Sequence, residues 1–263
     1  MKKRGQLTLF VITTVIIIAT IIAYFIFSNQ SESDLNVNFL TGKGLSTELE
    51  TTRANLFDCI DITTEEALLI VELQGGFISK PEKYYDMQVG FYPYYYYEGE
   101  YYMPTQEQIE HTISNYINNN LQECINAKDF PIQIELSPIQ TTTQIKDSEV
   151  IFNLDTTLTI SQNETVNTIK LKEKEFTQNS KIKGMIEIAQ YLTEYHKTDP
   201  KYYCINCVGL MAYERELNVD IFPFIENNTF QVIIHDDQTN SSIRPMFIYL
   251  NKYTGEEVSP LFN

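Results

Sequence analysis

An α+β fold class, with an N-terminal transmembrane helix followed by an extracytoplasmic domain of helices packed on antiparallel sheet, is what three observations in the sequence predict. Residues 7–27 run for 21 positions without a charge. Beyond them, apolar residues recur at three- and four-residue steps as far as about residue 127, then in strict alternation; these are the periods of a helix and of a half-buried strand. No alternating β-α-β pattern occurs, so a doubly wound parallel sheet is not expected.

The uncharged run, at 1.5 Å per helical residue, spans about 31 Å, the thickness of a bilayer's hydrocarbon core. Lys2, Lys3 and Arg4 precede it, while Ser28 to Asp34 holds only acids and polar groups. Basic residues stay on the cytoplasmic side, so the N-terminus faces in and the rest faces out. The expected layout is a basic cytoplasmic leader (1–5), a transmembrane helix (6–28), a linker (29–45), a helical part with a Tyr-rich loop (46–127), and an antiparallel sheet with covering helices (128–263). The predicted location is the cell membrane, crossed once, with residues 7–27 in contact with lipid. The formal net charge is −16, and −19 without the three leader cations. Such an acidic domain repels phosphate backbones and anionic headgroups, so no nucleic-acid partner is expected.

The segment Lys3-Arg4-Gly5-Gln6-Leu7-Thr8-Leu9-Phe10 resembles an archaeal class III signal peptide, the type IV pilin-like leader that a prepilin peptidase cuts on the cytoplasmic side. The resemblance covers residues 1 to about 27. It implies cleavage between Gly5 and Gln6 and a pilin-like, membrane-anchored surface protein. Many pilins carry Glu at the fifth mature position, where this chain has Phe10, so a filament subunit is the second reading. A plain uncleaved signal anchor gives the same topology. The stretch Glu72-Leu73-Gln74-Gly75-Gly76-Phe77-Ile78 also resembles poorly characterised outer domains behind such anchors in archaea, which implies no mechanism.

In the outer part a first helix is expected over 46–60, and a second opens at Thr63 with Glu66 as a capping box and stops at Gly75-Gly76. A third opens behind Pro104 with the capping box Thr105 and Gln108, and buries the stripe Ile109, Ile113, Tyr116, Ile117, Leu121 and Cys124. Alternation then marks Ile132, Ile134 and Leu136 as one strand, and Val150 through Ile160 as another that returns in a long hairpin to Lys172. A helix over 180–196 presents Ile182, Met185, Ile186, Ala189 and Leu192 before Asp199-Pro200 ends it. A short helix near 208–215 and strands near 219–222, 230–234 and 246–250 complete the order.

Nine tyrosines crowd into residues 84–102, among Gly90, Pro93, Gly99 and Pro104. So many turn formers predict a surface loop or hairpin, and tyrosine gives rigid contact area with a hydroxyl at small entropic cost. Tyr92, Tyr94, Tyr95, Tyr96, Tyr97, Tyr101 and Tyr102 are therefore binding-loop candidates, for glycans or for other membrane or surface proteins. The competing reading packs these rings onto the domain as a satellite core.

Four cysteines outside the cytoplasm suggest two disulfides. Cys59 and Cys124 fall on the apolar sides of two expected helices, so that pairing is the natural one and leaves Cys204 with Cys207. The Cys204-Ile205-Asn206-Cys207 stretch stands before a helix, where the dipole favours a thiolate, so a thiol oxidoreductase is a third reading. A zinc site would need more ligands than this pair and His196. His111, His196 and His235 are the only histidines, and neither a nucleophile elbow nor an HExxH pattern occurs. No catalytic residue, cofactor or metal is assigned. Asp236-Asp237 reads as a turn. Asn29, Asn163, Asn227 and Asn240 each open an Asn-x-Ser/Thr triplet. The function expected is a non-catalytic binding or surface-structure component.

Overall fold

The computed structural model describes residues 47–128, 130, 133–162, 165–172, 174–198, 204–237 and 244–254. Helix α1 (Thr47–Leu73) is continuous where the sequence suggested two helices. No Gly or Pro interrupts it, and beside the expected cap the Thr64 hydroxyl donates back along the helix to the Asp61 carbonyl at 2.9 Å. The helix buries Leu56, Cys59, Ile60, Ala67, Leu68 and Val71 along one side. It stops where predicted. Gly75 and Gly76 take φ of 53° and 84°, and the Gly76 amide donates to the Val71 carbonyl at 2.7 Å, the six-to-one bond of a Schellman end.

Strands β1 (Tyr84–Asp86), β2 (Phe91–Tyr97) and β3 (Glu100–Tyr101) follow, then helix α2 (Gln106–Ala127). Both halves of the predicted capping box form: Gln108 N–H donates to Thr105 Oγ1 at 3.2 Å, and Thr105 N–H donates to Gln108 Oε1 at 2.8 Å. The buried stripe is Ile109, Ile113, Ser114, Ile117, Leu121 and Ile125, with Tyr116 and Cys124 at its margin.

Six strands come next: β4 (Gln133–Leu136), β5 (Gln140–Ile145), β6 (Glu149–Asp155), β7 (Thr157–Gln162), β8 (Thr165–Lys170) and β9 (Glu175–Asn179). The long alternating run expected over 150–160 is cut at Thr156. Its carbonyl accepts the Leu171 amide at 3.0 Å and its hydroxyl donates to the Ser137 carbonyl at 3.0 Å. The chain thereby passes from one three-stranded sheet, β5-β6-β9, to another, β4-β7-β8. The predicted hairpin is the β7–β8 pair.

Helix α3 (Ile182–Thr198) buries all five of its predicted apolar residues. Helix α4 (Ile205–Glu214) and strands β10 (Asn218–Pro223), β11 (Thr229–His235) and β12 (Met246–Lys252) complete the described chain. The largest sheet runs β1-β2-β12-β11-β10, with β3 on β2. It is mixed rather than antiparallel, because β2 pairs with β12 in parallel. That pairing joins the part expected over 46–127 to the part expected over 128–263. One continuous apolar cluster reaches from α1 and α2 through β6 and β7 to α3 and the β11–β12 pair.

Among the described residues the class is α+β, with four helices packed on sheets. The predicted class is corrected in its membrane element: no described helix is long and apolar enough to cross a membrane. The longest, α1, carries Glu48, Glu50, Asp58, Asp61, Glu65, Glu66 and Glu72, charges far too costly for a bilayer centre. The leader, the 6–28 segment with Gly5 and Gln6, and the linker lie outside the described residues.

Candidate functional site

The tyrosine tract is an inner strand with a short hairpin, not a surface loop. Tyr94, Tyr95 and Tyr96 are buried. Tyr95 stacks on Tyr249 at 4.2 Å and donates its hydroxyl to the Gly75 carbonyl at 2.9 Å. Tyr96 packs against Tyr101 and Tyr253. Tyr94 donates to Glu226 Oε2 at 2.6 Å, and burial with that carboxylate holds its phenol above the usual tyrosine range. These three rings present no recognition face, because β12 needs a partner strand and each ring finds an aromatic neighbour or an acceptor inside. Pro93, which argued for a turn, lies just before the parallel pairing begins at Tyr94, where no amide is required of it. Tyr92 meets Phe224 edge-on at 6.2 Å, and Tyr97 lies near the Lys83 and Lys252 ammonium groups. Tyr102 donates to Glu100, and Tyr101 is exposed.

The cysteines pair as Cys59–Cys124 and Cys204–Cys207, with Cα separations of 5.7 and 5.2 Å. The first staples α1 to α2. The second closes the cap of α4, where Cys204 Sγ accepts the Cys207 amide at 3.3 Å.

Beside this second bridge lies a feature the sequence reading missed. Helix α4 is held to α3 by Arg215, which donates to Glu187 Oε2 through Nε at 3.0 Å and Nη2 at 2.7 Å. Only Val208 and Ala212 of α4 are buried. Ile205, Gly209 and Tyr213 form an outward row four residues apart, facing Val219 and Ile221 of β10 across a groove of about 330 Å³ floored by Leu192 and Leu217. Ile205 and Leu210 are exposed, as is Tyr213 at 81 %. Gly209 faces open space, with no atom within 4 Å of where a Cβ would stand. Among the described residues β10 is the last strand of its sheet, so no described strand pairs with its outer edge. The available signal was the unbroken apolar run 208–213: a short helix apolar on every side buries one side and shows the rest.

A second unforeseen cluster is polar. Glu72, buried near the end of α1, accepts the Ser180 hydroxyl at 2.8 Å. Burial, reinforced by Asp236 and opposed by that hydrogen bond, pushes its carboxyl up to about 7. Asp236 is buried and pairs with Lys181 at 3.2 Å, which also reaches Glu216 at 3.2 Å. His235 places Nε2 3.0 Å from Asp220 and Nδ1 2.9 Å from Asp237, and Arg244 joins Asp237 at 2.9 Å. The Asp236-Asp237 pair is thus engaged by cations of its own chain. Among the described residues no group of three or more His, Cys, Asp or Glu is arranged to hold a metal ion. His111 contacts Asn115 on the exposed side of α2, and the His196 side chain lies outside the described residues.

Comparison with family profiles, curated proteins and solved structures returned no match for this chain.

Proposed function

We propose that the disulfide-stapled domain is a non-catalytic binding component displayed at the outer face of the cell membrane, and that it meets a protein partner through the groove between α4 and β10. The observation that carries this reading is the apolar surface there: Ile205 and Tyr213 stand in water at an open groove whose other walls include Leu192, Val208, Leu217, Val219 and Ile221. Contiguous exposed apolar surface favours a contact site, since water penalises it otherwise. An unpaired strand edge adds main-chain groups for an extended segment to join. The extracytoplasmic address is supported by the oxidised cysteines and by the charge pattern of residues 1–34. A photo-crosslinking residue at position 213, in cells that make the protein, is expected to trap one discrete partner. The same residue at Val89, which is 98 % exposed away from the groove, is expected to trap none. Equal labelling at both positions, or none at either, defeats the groove as a contact site.

A second reading, thiol–disulfide exchange, is favoured by the position of Cys204 and Cys207 at the start of α4 beside the same groove. A disulfide-reduction assay decides it: turnover unchanged by Cys204→Ser removes the pair from any such reaction.

A further inference from the structure

Strand β10 turns into β11 through residues 224–228, where the Phe224 amide donates to the Thr229 carbonyl at 2.8 Å and Asn228 takes a φ of 57°. This turn carries Asn227-Asn228-Thr229, the acceptor triplet for N-linked sugar. The other three triplets lie outside the described residues in whole or in part. Asn227 is exposed, and among the described residues its side-chain amide makes no hydrogen bond; only its backbone carbonyl is engaged, by the Thr229 hydroxyl at 3.3 Å. An Asn in a tight turn normally uses its side chain to hold the turn; here the backbone holds it and the side chain is exposed. Two residues before it, Ile225 is 80 % exposed among the described residues. Beside it opens a cavity of about 700 Å³ bounded by Glu98, Glu226, Asn227 and Lys252.

From these observations we infer that Asn227 is N-glycosylated, and that the attached sugar covers Ile225. The inference rests on the reading of this domain as exported. The donor is a lipid-linked sugar phosphate. The Asn227 Nδ2 forms a bond to the anomeric carbon as that carbon's bond to the phosphate oxygen breaks. The amide loses one proton and the lipid phosphate departs with the electron pair, with no change of oxidation state. Thr229 is buried as the first residue of β11, so the transfer acts on the chain before β11 is in place. The folded turn then holds the product in solvent.

The test uses full-length protein taken from the cells that make it. Chymotrypsin cuts after Phe224 and Phe230, releasing the peptide 225–230 free of the Asn240 triplet. That peptide is expected to carry a glycan mass with sugar fragment ions. It should become wholly bare in Asn227→Gln and stay glycosylated in Asn240→Gln. A bare peptide from protein whose four cysteines resist alkylation overturns the inference and leaves the export reading standing. A bare peptide from protein whose cysteines alkylate without reduction overturns both.

Discussion

Glu72 shows how one side chain can couple this fold to pH. Its carboxyl sits near 7 because it is buried, while an unfolded Glu titrates at about 4.3. The folded state therefore binds a proton that the unfolded chain has lost. The associated stability is fully present below about 4.3 and is lost as pH rises through about 7, a change on the order of 3 kcal/mol. Glu72→Gln keeps an acceptor for Ser180 without the charge. It is expected to flatten the urea-unfolding free energy between pH 5 and pH 8, and to raise it at pH 8; a variant that keeps the wild-type slope refutes the assignment. Glycines separate in the same way. At Gly75 an added Cβ would meet the Ile248 carbonyl oxygen at 2.5 Å, on a backbone that disfavours side chains. Gly75→Ala should cost about 2 kcal/mol or more, whereas Gly209→Ala, in a helix and facing open space, should gain roughly 0.5–1 kcal/mol. Thermal melts of the two variants are expected to shift in opposite directions.

Among the elements, α2 and α3 were legible because local signals and tertiary packing agree: a capping box or a proline sets an end, and a 3.6-residue stripe meets a neighbour. In helix α1, Thr63 and Glu66 satisfy a local cap rule that predicts a break, and the unbroken buried side of the helix overrides it. Strand β2 was hidden for a different reason. Its residues alternate in no polar sense, and its partner β12 is 155 residues away between Tyr97 and Lys252. The groove was not legible, since it depends on where α4 meets β10. The two disulfides differ in what they hold. Cys59 and Cys124 close a separation of 65 residues, worth about 4 kcal/mol in the chain-entropy treatment. The Cys204–Cys207 bridge spans three and should be worth about 2 kcal/mol or less. Denaturant unfolding of the two double Cys→Ala variants is expected to rank them in that order, and equal losses would show that the short bridge holds more than its own turn.

For the whole molecule, the acidic balance and the even cysteine count were visible from composition, and the α+β class followed from the change of period. What composition does not contain is the closure of the central sheet. Its parallel β2–β12 pairing ties residues 94–97 to residues 250–252. Such long-range pairing is slow to form and demands most of the chain first. A chain truncated before Met246 should therefore leave Tyr94, Tyr95 and Tyr96 open to chymotrypsin, whereas full-length protein resists cleavage there. Until Met246–Lys252 has been made, the early strands have nothing to close against, so the centre of this fold is assembled from its two sequence extremes at once rather than built outward from the first helix.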